Sequence, residues 1–244
     1  MRVAAVSGGR EPRQHAVPAR SDRRAGRGTS ATRERILAAS LVLFNERGVP
    51  NVTTNHIADA SEISPGNLYY HFRHKEDIVM ALFERYQRAV ADVTGADVGY
   101  GEAIDDLWLL VHLTFEVIQD YQFVHRDLSE LCASYPALRR RFLRGLDTGV
   151  ARMTAYCGAL AHAGALDATP AEAQALATNI ALVATYWLNL CDLQRSAGIA
   201  GRVDDDALSQ GVFQVMSLIT PYLQGEKHEE FRRVACRYLP QAAE

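Results

Sequence analysis

The stretch Thr53-Thr54-Asn55-His56-Ile57-Ala58-Asp59-Ala60-Ser61-Glu62-Ile63-Ser64-Pro65-Gly66-Asn67-Leu68-Tyr69-Tyr70-His71-Phe72 reads as two short helices around a tight turn. Ile57 and Ala58 point inward from the first helix and Ile63 plugs the corner. Leu68 and Phe72, four positions apart, point inward from the second and are core whatever the function. Pro65, Gly66, Asn67, Tyr69, Tyr70 and His71 are left on exposed or rim positions. An outward face of small, hydroxyl-bearing and imidazole groups is unusual for a solvated helix, and it suits a helix pressed into a DNA groove. Gly66 allows close backbone approach, the tyrosine hydroxyls and His71 can donate to phosphates, and the helix N-terminus favours anions. For Tyr69 two readings stay open: half-buried with only its hydroxyl on DNA, or purely polar. His71 and His74 are three apart but stand beside Arg73 and Lys75, a poor setting for a cation, so no metal and no cofactor is expected.

Working outward, Ile36, Leu37, Leu41, Leu43 and Phe44 recur at three- and four-residue steps, which predicts a first helix from Thr32 to a stop at Gly48. Further helices are predicted over 54–60, 64–72, 75–94, 102–121, 123–135, 136–163, 170–197, 205–223 and 226–238. Ser64-Pro65 and Thr169-Pro170 each place a capping hydroxyl before a proline at the first helical position, and Glu172 completes a capping box with Thr169. Gly95, Gly164 and Gly198 mark stops. No segment alternates with strand period, so the fold class is all-α. Residues 1–30 mix Gly, Pro, Ser and Arg without apolar periodicity and read as a disordered Arg-rich tail. Residues 31–76 then form a three-helix helix-turn-helix DNA-binding domain, and residues 77–244 a helical ligand-sensing and dimerisation domain.

The composition of the 244 residues, 48% hydrophobic and 23% charged, is that of a globular protein. No apolar run is long enough to span a bilayer and no apolar segment follows Arg23-Arg24, so neither a membrane protein nor an exported one is expected, and the chain is placed in the cytoplasm. Cys132, Cys157, Cys191 and Cys236 are far apart with no Cys-x-x-Cys pair and read as reduced, packed residues. The net charge of -3 conceals an asymmetry: residues 1–75 carry twelve basic and six acidic side chains, a balance of +6, which leaves -9 on the rest. A basic head on an acidic body suggests a polyanionic partner for the head. There is no Gly-x-Ser-x-Gly elbow, no phosphate-binding glycine loop and no His-Glu-x-x-His, and His112 with Glu116 lacks a third group. An enzyme is therefore not expected, and a helical enzyme or binding protein that uses the aromatic body is kept as the alternative.

The segment from Thr32 to about Tyr86 resembles the N-terminal DNA-binding domain of the TetR family of bacterial transcriptional regulators (TetR/AcrR-type). The resemblance rests on Arg33 to Phe44 as the first helix, Gly48, the Thr53/Thr54 to Ile57-Ala58 helix, and the run Ser64, Gly66, Leu68, Tyr69, His71, Phe72, Lys75 and Glu76. It implies that Pro65 and Gly66 lie at the base edges of the major groove, with Ser64 opening the recognition helix. It also implies that Tyr69, Tyr70, His71 and Lys75 hold phosphates while Thr53 and Thr54 anchor the preceding helix. Two positions depart from the pattern. Glu62 occupies the turn where the family usually has glycine, so a positive φ there would cost about 1 kcal/mol. Pro65 has no donor, which shifts base reading toward Gly66, Asn67 and Tyr69.

The resemblance further implies that the body senses a small molecule and dimerises, making the chain a ligand-responsive repressor released from a palindromic operator on double-stranded DNA by an apolar or acyl-type effector. Trp108, His112, Phe115, Phe123, Asp127, Met153, Tyr156 and Tyr186 are the candidate effector residues, because together they would make an apolar cavity with few polar anchors. A plain aromatic core is the competing reading. The segment over 170–197 is apolar over much of its circumference and, with 205–223, is assigned to a four-helix homodimer interface. A monomer with a broad core is the alternative.

Overall fold

A computed structural model describes residues 22–95, 104–196 and 207–235. Within them the chain forms eleven α-helices and one 3-10 turn, and no strand; a single bridge joins Leu166 to Leu223. The order is α1 (Asp22–Arg47), α2 (Thr54–Ala60), α3 (Pro65–His71), α4 (Lys75–Thr94), α5 (Ile104–Asp120), α6 (Gln122–Arg126), α7 (Leu128–Ser134), α8 (Pro136–His162), α9 (Pro170–Ser196), α10 (Ala207–Ile219), the 3-10 turn Thr220–Tyr222 and α11 (Gly225–Ala235).

Most boundaries follow the local chemistry. Gly48 ends α1 at φ +77, Gly164 closes the turn after α8 at φ +73, and Thr169 and Glu172 form the expected reciprocal cap, with the Thr169 N–H donating to the Glu172 carboxylate at 2.8 Å. Four boundaries differ, three of them with a physical cause. α1 begins at Asp22, ten residues before Thr32, so residues 22–30, expected to belong to a disordered tail, are helical, because adding residues to an existing helix is far cheaper than nucleating one. The helix predicted over 123–135 is two helices broken at Asp127, whose carboxylate is drawn to another part of the chain. Pro221 cannot continue α10, and the chain tightens into the 3-10 turn. α11 begins at Gly225, one residue early. The tail at 1–21, the stop at Gly198, Cys236 and the predicted ends at 102–103, 197, 205–206 and 236–238 lie outside the described residues.

Two apolar cores form. The first joins α1 to α4 through Ile36, Phe44, Ile57, Leu68, Ile78 and Phe83, and continues into α6, α7 and the start of α8 through Phe123, Leu131 and Leu138. The second is built by α5, the end of α8, α9, α10 and α11, with Leu107, Phe115, Leu160, Leu176, Val212 and Met216 inside it. Gly211 of α10 sits where α5 and α9 press in: a methyl group there would lie 2.2 Å from the Phe115 ring and 2.8 Å from Trp187. The packing border therefore falls within α8 and after α4, not at the sequence border near residue 76. Cys157 and Cys191 are buried and Cys132 is half-buried, all three as free thiols. Burial pushes the Cys157 thiol up to about 11, which keeps it protonated and unreactive. Among the described helices none is long and apolar enough to cross a membrane.

Candidate functional site

The recognition helix is built from its caps. Ser64 is extended, and its hydroxyl accepts from the Asn67 N–H at 3.2 Å, while Pro65 fills the first helical position, where no N–H is needed. Thr53 caps α2 in the same way, accepting from the His56 N–H at 3.2 Å, and the His56 ring Nδ1 accepts from the Thr53 N–H in return. His56 was not among the expected site residues; a histidine in the glutamate position of a capping box gives no ordinary sequence signal. The turn between α2 and α3 holds Glu62 at φ 53, the one positive-φ non-glycine residue among those described, as its place in the pattern required.

The outward face of α3 is the one expected. Tyr69 and Tyr70 are 62% and 76% exposed, which removes the half-buried reading of Tyr69, and Pro65, Gly66 and Asn67 stand exposed beside them. The Tyr70 ring meets His71 edge-on at 5.3 Å. A side chain at Gly66 would meet only the Ser64 hydroxyl, at 4.0 Å, so nothing inside the protein calls for glycine there, although glycine weakens a helix by about 1 kcal/mol. Thr54 is exposed at the start of α2.

Lys75 differs from expectation. Its Nζ donates to the carbonyls of Val49 and Val52 at 2.8 and 3.0 Å, so two of its three protons close the α1–α2 loop instead of facing a phosphate. Burial lowers its pKa, with Glu130 and Asp127 opposing. The sequence signal was ambiguous because a lysine at a helix start serves a backbone phosphate or a loop carbonyl equally well.

Between the two cores lies a cavity of about 910 Å³, walled by α4, α5, α8 and α9. Phe115, Met153 and Tyr156 line it as expected. The other five candidates do not, and each has another duty. Trp108 stacks on His112 at 5.4 Å, and His112 pairs with Glu116 at 3.3 Å, along a stripe of α5 beside the cavity-facing Val111, Phe115 and Ile118. Phe123 is fully buried against Phe44. Asp127 accepts the Val49 N–H at 2.6 Å across the join between head and body, and burial raises its pKa. Tyr186 is 48% exposed on the far side of α9 from the cavity-facing Ala177, Ile180 and Ala184. Periodicity identified apolar helices; only their packing tells which stripe meets the void.

The cavity brings residues that were not anticipated. Arg141, Arg144, Thr148 and Arg152 recur at three and four residues along α8, with Gly145 and Gly149 between them, and among the described residues no Asp or Glu lines the space. A methyl group added to either glycine would meet nothing within 4 Å, so they leave room rather than allow a close helix crossing. Arg141 pairs with Glu84 at 2.8 Å, and Arg152 donates to the Thr94 carbonyl at 2.8 Å. That basic and small stripe was legible in the sequence. Deeper in, Tyr86 and His125 are buried and bonded at 3.0 Å, and the His125 Nδ1 lies 3.1 Å from the Thr185 carbonyl. Burial pushes the His125 ring down to about 4 and raises the Tyr86 phenol.

One short helix touches both regions. His125 of α6 lines the cavity, while its neighbours hold the head. The Phe123 N–H donates to the Asn45 side chain at 3.1 Å, Arg126 donates to the Asn45 carbonyl at 2.9 Å and pairs with Asp192 of α9, and Asn45 donates to the Asp120 carbonyl at 2.8 Å.

An all-helical body joined to a capped helix-turn-helix whose recognition face is exposed defines the class of helix-turn-helix regulators with a separate helical sensing body. Residues 83–231 match the family described as a bacterial transcriptional repressor, TetR, and residues 36–82 match the bacterial regulatory proteins of the tetR family. The chain belongs to the TetR family. It is similar to the HTH-type transcriptional repressor KstR2 of Mycobacterium tuberculosis, 31% identical over 126 residues, 47% of this chain and 59% of that protein. It is also similar to the HTH-type transcriptional regulator UidR of Escherichia coli, 39% identical over 61 residues, 25% of this chain and 31% of that one. The matched regions span less than two thirds of these relatives. A crystal structure of a TetR-family regulator from Marinobacter aquaeolei VT8 is 35% identical, with a TM-score of 0.76 over 86% of this chain and 99% of that one.

Proposed function

We propose that this chain is a transcriptional repressor that holds a palindromic operator as a homodimer and releases it when an anionic, apolar or acyl-type effector enters the cavity between the two cores. The observation that carries this is the cavity's position. Its walls include Phe83, Tyr86 and Phe142 of the head-bearing core and Phe115, Ile180 and Val215 of the other, so filling it changes how the two cores sit. α4 runs from the loop gripped by Lys75 to the cavity mouth at Thr94. A basic rim with no Asp or Glu among its described residues, over an apolar interior, selects an anionic amphiphile.

On the DNA side, Pro65, Gly66, Asn67 and Tyr69 read base edges, Tyr69, Tyr70 and His71 hold phosphates, and Thr53 and Thr54 steady α2 on the backbone. The dimer forms on α9, where Leu182, Tyr186, Leu190 and Leu193, four, four and three apart, make an exposed apolar stripe, with the half-buried Phe213 and Leu218 of α10 contributing. Two recognition helices then meet half-sites roughly 34 Å apart. The operator places the protein in the cytoplasm.

The test follows operator binding by fluorescence anisotropy together with sedimentation. The native chain should bind as a dimer with a log K against log salt slope of about -5 to -7, and a long-chain carboxylate should lower affinity about a hundredfold, which needs about 2.7 kcal/mol of coupling. Leu190→Glu should give a folded monomer that no longer holds the site. Tight operator binding by that monomer, or an operator affinity indifferent to salt, refutes the reading.

A further inference from the structure

The hydrogen bonds inside the cavity have a direction, and that direction selects among effectors; the inference rests on the cavity being the effector site proposed above. The Thr185 carbonyl can only accept, so the His125 Nδ1 3.1 Å away carries the ring proton. The ring is neutral because burial holds its pKa near 4, which leaves Nε2 as a bare acceptor. Tyr86, 3.0 Å from Nε2, must therefore donate, and its oxygen has only lone pairs left for a ligand. Thr114 and Thr148 donate to the carbonyls of Leu110 and Arg144 at 2.7 and 2.8 Å and turn lone pairs outward in the same way. The charged donors of the lining are the arginines of α8.

We propose that the effector is a hydroxylated amphiphilic carboxylate: its carboxylate is held by Arg144 and Arg152, and a hydroxyl on its apolar body donates to the Tyr86 oxygen, which His125 holds as an acceptor. A ketone in the place of that hydroxyl finds no free donor on Tyr86. Tyr86 could serve it only by withdrawing its proton from His125, which would strand a buried ring nitrogen.

Calorimetry on the full chain tests this with hexadecanoates that carry a hydroxyl or a keto group at successive mid-chain carbons. The best alcohol should bind about tenfold or more tightly than the ketone at the same carbon. Tyr86→Phe should erase the difference. His125→Leu should bring the ketone up to the alcohol, because the tyrosine proton is freed, whereas His125→Gln, with an amide oxygen that still accepts, should keep the preference; the pair also controls for general damage at this buried site. Equal binding of alcohols and ketones by the native chain overturns the hydroxyl assignment and leaves the anion-binding cavity standing. No binding of any hexadecanoate removes the cavity reading and this assignment with it.

Discussion

The head and the body of this protein are built from similar helices and filled differently. In the head, Ile36, Leu37, Phe44, Val52, Ile57 and Ile78 are fully buried among α1, α2, the loop between them and α4, as close-packed interiors are. The body keeps about 910 Å³ open between α4, α5, α8 and α9, and places glycines, threonines and arginines along it where larger apolar side chains would fill the space. An unfilled space forfeits dispersion contacts. A packed head keeps the exposed face of α3 in one geometry, while a hollow seam leaves the two cores a spacing that a ligand can alter.

The comparison can be broken first at the polar pair inside the hollow. His125 has a folded pKa of about 4 and an unfolded one near 6.5. Above pH 6.5 the ring is neutral in both states. As pH falls below that value the unfolded chain takes up a proton that the folded chain refuses, so stability falls by about 1.4 kcal/mol per pH unit, and by about 3 kcal/mol in total near pH 4. Urea midpoints measured across this range should show the loss in the native chain and a flatter profile in His125→Gln. Parallel profiles would mean the ring does not titrate as its burial requires.

A second, smaller effect separates structure from DNA contact in the head. Lys75→Ala removes two charge-assisted bonds to the Val49 and Val52 carbonyls and should cost about 2 kcal/mol of stability. The salt dependence of DNA binding should keep its slope once the protein is folded, and Tyr70→Phe should weaken binding to specific and random DNA alike. A slope reduced by Lys75→Ala at full stability would return the lysine to the phosphate backbone.

The smallest effect sharpens the account of the head's turn. Glu62 at φ 53 carries the left-handed penalty of a side chain, and glycine relieves it while adding freedom to the unfolded chain. Glu62→Gly should therefore stabilise by at most about 1 kcal/mol, read as a small rise in the urea midpoint. A loss of stability would show that the glutamate makes a contact worth more than the strain.

What the sequence determined by itself is what depends on neighbours three or four positions away. The caps at Ser64 and Thr169, the stops at Gly48 and Gly164 and the outward face of α3 were legible because a helix links residues at those spacings, while the strained turn at Glu62 was legible only through the family resemblance. The tertiary structure alone decided which apolar stripe meets which. It turned Trp108, His112 and Tyr186 away from the cavity, sent Phe123 and Asp127 to the join with the head, tied Lys75 to a loop, and brought Tyr86, His125 and Thr185 together from three separate helices. Periodicity states that a helix has an apolar side; the identity of its partner, and whether the space between them is filled, depends on helices far away in sequence and enters only when all of them pack at once.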